Sequence, residues 1–215
     1  MAVDLFEEIV RAAFQAERYL TMENVCYRRY ANAPDVVGVP GADRVASDID
    51  LIALAPHLKD HGRVLAISCK GGRDGIRLPS CVDSIVQGPR AQVAGSPART
   101  GFRELVDPSW QKAFRATVYR VTGENVFTHV TVAKRIEGDR RLWTQEPSFR
   151  ELTPHLRLHD MADLLRMIQK RSAALFHNGT ALKLYDLASA AAGDIFPPLS
   201  RSTPTRATPK AHPLS

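Results

Sequence analysis

The clearest alternation of apolar and polar positions in the chain runs from Ser47 to Lys70, SDIDLIALAPHLKDHGRVLAISCK. Two apolar runs, DIDLIAL and RVLAISCK, flank a polar segment with one glycine. That pattern predicts a strand, a connection and a second strand. Strict alternation sets Asp48, Asp50, Ile52 and Leu54 on one face of the first strand, with Ile49, Leu51 and Ala53 on the other. In the second strand Val64, Ala66, Ser68 and Lys70 share a face. Paired, the strands bring two carboxylates and an ammonium to one end of an otherwise apolar sheet, which is costly to bury without a partner or a task. A structural Asp50–Lys70 ion pair would meet that cost as well as a chemical site would.

The pattern elsewhere alternates between helical and extended periods. Residues 3 to 22 place Phe6, Ile9, Val10, Ala13, Ala16 and Leu20 at helical spacing. On a helical wheel the apolar arc is centred near Ala13 and includes Glu17, whereas Glu7 and Glu8 fall at its edges or beyond. An acid on a buried face needs a reason. Escape at the helix end, or a pair with Arg18 or Arg28, is one; chemistry is another. A short strand, VCYRRY, follows over Val25 to Tyr30, then an irregular stretch broken by Pro34, Gly38, Pro40 and Gly41.

Beyond Lys70 the segment GGRDGIRLPSC reads as a loop, and VDSIVQ opens a helix that Gly88, Pro89, Gly95, Pro97 and Gly101 prevent from running on. A long irregular stretch beside a site is a common place for substrate contacts. Asp107-Pro108-Ser109 and Gly123 bracket a helix with Trp110, Phe114, Val118 and Val121 on one stripe. ENVFTHVTVAKRI alternates as a strand, with Phe127, His129 and Thr131 on one face. His129 stands alone there, without the companions of a metal site, and reads as structural. LWTQ reads as a β-like patch, and residues 159 to 175 as a helix on a stripe of Met161, Leu164, Leu165 and Ile168. Residues 180 to 196 have no clear period.

Composition narrows the function classes. No apolar run approaches the roughly 18 residues of a membrane span, and the N-terminus lacks the basic, apolar character of a signal sequence, so a cytoplasmic protein with no membrane partner is expected. The three cysteines, Cys26, Cys69 and Cys81, include no CxxC and suggest neither a disulfide framework nor zinc. The formal charge of +6 permits a polyanionic partner. Three of those charges, Arg201, Arg206 and Lys210, lie in a Pro/Ser/Thr/Arg-rich stretch over 197–215 that reads as a disordered tail. Residues 1–196 are expected to form a single domain, its core over about 3–135 and a helical C-terminal extension over 155–196.

In order, the elements are a helix with a buried acid, a strand, a strand carrying acids, a strand ending in lysine, a helix and a strand. Together with SDIDLIA and ISCK, this order resembles the core of the PD-(D/E)xK nuclease superfamily, which includes Mrr-like restriction enzymes and Holliday-junction resolvases. The resemblance covers roughly residues 3 to 135. It implies an α/β fold with a restriction-endonuclease-like core, a central mixed β-sheet flanked by helices. It also implies a DNA endonuclease of restriction, repair or mobile-element defence type that depends on Mg²⁺, with Mn²⁺ as an alternative. The site residues it implies are Asp50, Lys70, Ser68 and Glu17, with Glu7 or Glu8 as alternatives to Glu17. Asp50, Asp48 and Glu17 are the implied metal ligands, since Mg²⁺ is held by one or two carboxylates and activates water at a scissile phosphate. Lys70 would orient that water or stabilise the transition state. Arg28, Arg29, Arg44, Arg73 and Arg77 are the candidate DNA contacts. One departure matters: Ser68 stands where the family carries Glu or Gln, a shorter, neutral group. The alternative reading is therefore a weak or inactive nuclease-like protein that binds DNA or serves as an accessory subunit. A homodimer or an accessory protein partner fits either reading.

Overall fold

The computed structural model describes residues 4–28, 46–70, 75–86 and 101–175. The expected tail, the unassigned residues 180–196 and Arg29, Arg44 and Arg73 lie outside them. Five strands form one mixed sheet in the order β1-β2-β3-β5-β7. These are β1 (Leu20–Arg28), β2 (Ala46–Leu54), β3 (Val64–Lys70), β5 (Thr128–Ala133) and β7 (Leu156–Asp160). The first three pair antiparallel, while β3, β5 and β7 pair parallel. A minor parallel pair joins β4 (Ile76–Arg77) to β6 (Ile136–Glu137). The expected α/β class, with helices on a central mixed sheet, is what the chain forms.

Helices α1 (Leu5–Ala16) and α6 (Met161–Leu175) cover one face of the sheet. Phe6, Ile9, Val10, Ala13 and Phe14 of α1 and Leu164, Leu165 and Ile168 of α6 pack there on Leu51, Ala53, Leu65, Ile67, Val130 and Val132. Helix α3 (Pro108–Thr122) covers the other face, where Trp110, Phe114 and Val118 meet Tyr27, Ile49, Ile52, Val64 and Ala66. Each such large side chain contributes about 1.5–3 kcal/mol on full burial. A third cluster, around Trp143 and Phe149, extends that second face toward β7 and holds α2 (Leu78–Val86), α4 (Arg141–Thr144) and α5 (Pro147–Leu152).

Local signals explain the bounds of α3: the Asp107 carboxylate accepts from the Ser109 and Trp110 N–H groups, Pro108 occupies the first turn, and Gly123 ends the helix at φ +74°. Helix α1 is shorter than its periodicity predicts. It stops at Ala16 because Glu17 caps it and Arg18 turns left-handed at φ +67°, so Leu20 begins a strand instead of continuing the helix. LWTQ is helical rather than β-like: Trp143 fills the third cluster from a single turn of α4. Strand β7 directly precedes α6, within a stretch where no strand was expected. The three cysteines are free, and no helix among the described residues is long and apolar enough to cross a membrane.

Candidate functional site

Strands β2 and β3 pair from Leu54↔Val64 to Leu51↔Ile67. At the next position the partner of the Cys69 N–H is not main chain: it donates to Asp50 Oδ2 at 2.6 Å. The change has a visible cause in β1. Asn24 sits opposite Asp50 between the pairs Glu23↔Leu51 and Val25↔Ile49, and adopts φ +53°. Alternation breaks there. Ile49 and Ile52 both face α3, whereas Leu51 and Ala53 face α1. Asp48, Asp50, Ile52 and Leu54 therefore do not share a face as strict alternation expects; Asp50 lies at the break, and its carboxylate is tied to the end of β3.

Lys70 closes β3 opposite Ala133 of β5, its ammonium over the Phe102 ring at 4.9 Å from the centroid. Asp50 is half-buried, and burial pushes its carboxyl above the usual range. The Cys69 N–H and the Lys70 ammonium oppose that rise, while Asp48 and Glu104 add to it. Asp48 itself is exposed, across from Cys26 of β1. Ser68 is 3% exposed, so its hydroxyl belongs to the floor beneath Lys70 more than to the opening.

The acid that α1 brings to this site is Glu7. Burial raises its carboxyl, and Asp50, Asp4 and Asp48 raise it further. Glu17 is at the far end of the helix, where it pairs with Arg171 at 3.3 Å. Ten residues of helix separate the two acids by about 15 Å at 1.5 Å per residue, so Glu17 does not join Asp50 and Glu7 does. The helix ends at Ala16, and Glu17, its C-cap, reaches Arg171. Glu8 is occupied by an ion pair with Arg11.

Two further groups come from a segment read as loop. A 3-10 turn at Arg103–Leu105 buries Phe102 and Leu105, and Glu104 between them is 5% exposed. Glu104 Oε1 lies 3.4 Å from Nε2 of His129, which is 1% exposed. Neither imidazole nitrogen makes a hydrogen bond. Burial acts to raise the Glu104 carboxyl, but His129 and then Lys70 outweigh it and hold it below the usual range. The flanking pattern Phe102-Arg-Glu-Leu105 was the available signal, two apolar residues bracketing an acid.

Comparison with protein-family models, curated proteins and solved structures returns no match to this chain. The site therefore rests on its own chemistry.

The candidate DNA contacts divide. Arg28 is exposed at the end of β1, and Arg77 is exposed but paired with Glu137 at 3.3 Å. Lys134, just past β5, adds an exposed cation on the α1 side, 5.8 Å from the Phe6 ring centroid. Among the described residues no three His, Cys, Asp or Glu side chains cluster as ligands for one metal ion. One or two carboxylates are enough for a hard cation that keeps most of its water. Burial raises both the Asp50 and Glu7 carboxyls and the charge of Asp50 raises Glu7 further, a repulsion that a divalent cation between them would relieve.

Proposed function

We propose that this chain is a divalent-cation-dependent DNA endonuclease with a restriction-endonuclease-like core of the PD-(D/E)xK type. The observation that carries the reading is the Asp50 carboxylate bound to the Cys69 N–H at the end of β3, where the charge of Lys70 acts on Asp50 and that of Asp50 acts on Glu7 of the preceding helix. The topology supports it: α1, an antiparallel β1-β2-β3 meander, α3 on the opposite face and β5 parallel to β3.

In this reading Asp50 and Glu7 hold Mg²⁺ or Mn²⁺, which supplies charge neutralisation at the scissile phosphate and an acidified water. Asp50 is fixed for that task by the Cys69 N–H, so its carboxylate does not reorient when substrate arrives. Lys70 acts through its ammonium, seated over the Phe102 ring. It stabilises the negative charge that develops on the phosphate and orients the attacking water. Arg28 and Lys134 offer cations on either side of the opening for the flanking backbone.

The decisive experiment incubates the purified chain with supercoiled, linear, branched and single-stranded DNA in Mg²⁺ or Mn²⁺. Cleavage by the wild type that is lost in both Asp50→Ala and Lys70→Ala is expected. Cleavage that survives either substitution sinks the assignment. The second reading, DNA binding without cleavage, is favoured by the buried neutral Ser68. It predicts salt-dependent binding that persists in both variants, with no cut product.

A further inference from the structure

On the α3 side of the sheet, Ala66, Ser68 and Lys70 of β3 lie in register with His129, Thr131 and Ala133 of β5. The 3-10 turn brings Phe102 and Glu104 onto this patch: the ring of Phe102 underlies the Lys70 ammonium, and the Glu104 carboxylate contacts His129. His129 Nδ1 and Nε2 and Thr131 Oγ1 are buried without hydrogen-bond partners. A buried carboxylate against a buried imidazole is a costly arrangement for stability alone, since well-packed apolar residues commonly hold a fold as well or better. Its position offers another use. Glu104 is two residues from the aromatic ring under Lys70, and its carboxylate lies within electrostatic reach of the same ammonium, which has three N–H donors to direct.

We infer that Glu104, backed by His129, is the positioning residue that holds the Lys70 ammonium over Phe102 and toward Asp50, in place of the acid that β3 lacks at Ser68. A serine hydroxyl is too short and carries no charge to anchor an ammonium two residues along the same face. His129, whose Nε2 lies 3.4 Å from Glu104 Oε1, packs against that carboxylate and keeps it turned into the patch. The reaction this positioning serves rests on the nuclease reading; the positioning itself does not.

The test separates the two. Lysines are dimethylated with ¹³C-formaldehyde, and the Lys70 signal is assigned by its disappearance in Lys70→Arg. In the wild type the Phe102 ring shifts that signal upfield of the other lysines. Glu104→Gln, which keeps the shape, is expected to move it toward them, and Glu104→Asp to move it partway. In parallel, single-turnover cleavage is expected to fall more than tenfold in Glu104→Gln while DNA affinity, measured in Ca²⁺, stays within twofold. Should Glu104→Gln fail to fold, His129→Asn carries the same measurements. An unmoved Lys70 signal overturns the inference, and so does a moved signal with undiminished cleavage. A moved signal in a protein that cleaves no DNA supports the positioning and fails the nuclease reading.

Discussion

The Cys69 main-chain N–H donates to Asp50 Oδ2 at 2.6 Å, and this bond replaces the β2–β3 ladder at the point where the strands carry their chemistry. It ties the orientation of a half-buried acid to the backbone of the strand that ends in Lys70. Asp50→Asn retains an oxygen acceptor for that N–H but removes the charge. Cleavage is expected to fall on the order of a thousandfold, a loss comparable with removing a key electrostatic group elsewhere. Folding stability by urea titration is expected to hold or rise. A variant that loses stability would mean that the charge of Asp50 is satisfied in the fold.

The pH dependence follows from the direction of that shift. The folded state raises the Asp50 carboxyl above its ordinary value of 3.8, so the folded chain binds this proton more tightly than the unfolded chain. Asp50 then costs stability as pH rises from that value through its raised one, and the cost persists above it. The stability advantage of Asp50→Asn over the wild type should grow across that window and vanish below it. Cleavage should run the other way, failing as pH drops through the raised value, because the acting form is the carboxylate. Parallel denaturation and cleavage profiles check both signs.

Glu7 and Glu17 give opposite expectations. Mg²⁺ at saturating concentration should raise the melting temperature of the wild type, as any ligand of the native state does. Glu7→Gln should diminish that rise and slow cleavage, and Asp50→Ala should abolish it. Glu17→Gln should leave cleavage within about twofold and cost at most about 1 kcal/mol, the usual worth of a partly exposed ion pair such as that with Arg171. Thermal melts with and without metal distinguish them.

Asn24 tests the origin of the broken alternation. Its left-handed φ of +53° is tolerated by Asn but opposed by a β-branched side chain. Asn24→Val is expected to destabilise by about 1–2 kcal/mol and to reduce cleavage through Asp50, although residue 24 is exposed. Asn24→Gly should preserve both.

Much of this was legible in the residues. Asp107, Pro108 and Gly123 announce α3 by local chemistry, and the runs ending at Leu54 and Lys70 pair as their patterns require. What could not be read depends on contacts distant in sequence. Periodicity alone does not signal that α1 ends at Ala16 or that Arg18 turns left-handed at φ +67°, which leaves Glu17 at the far end of the helix with Arg171. The face of Asp50 is decided by Asn24 on another strand. Glu104 sits in a stretch punctuated by glycine and proline, and only its meeting with His129 of β5 gives it a place.

β3 is where the sheet changes sense, antiparallel toward β2 and parallel toward β5. The two halves of the site consequently form by different routes. Asp50 and Cys69 meet within a hairpin that closes a short loop, whereas Lys70 reaches its Phe102 and Glu104 seat only after a long crossover brings β5 alongside. In pulse-labelling during refolding, we expect the β2 and β3 amides to gain protection before those of β5. The acid of the site would then be in place while its lysine is still unanchored.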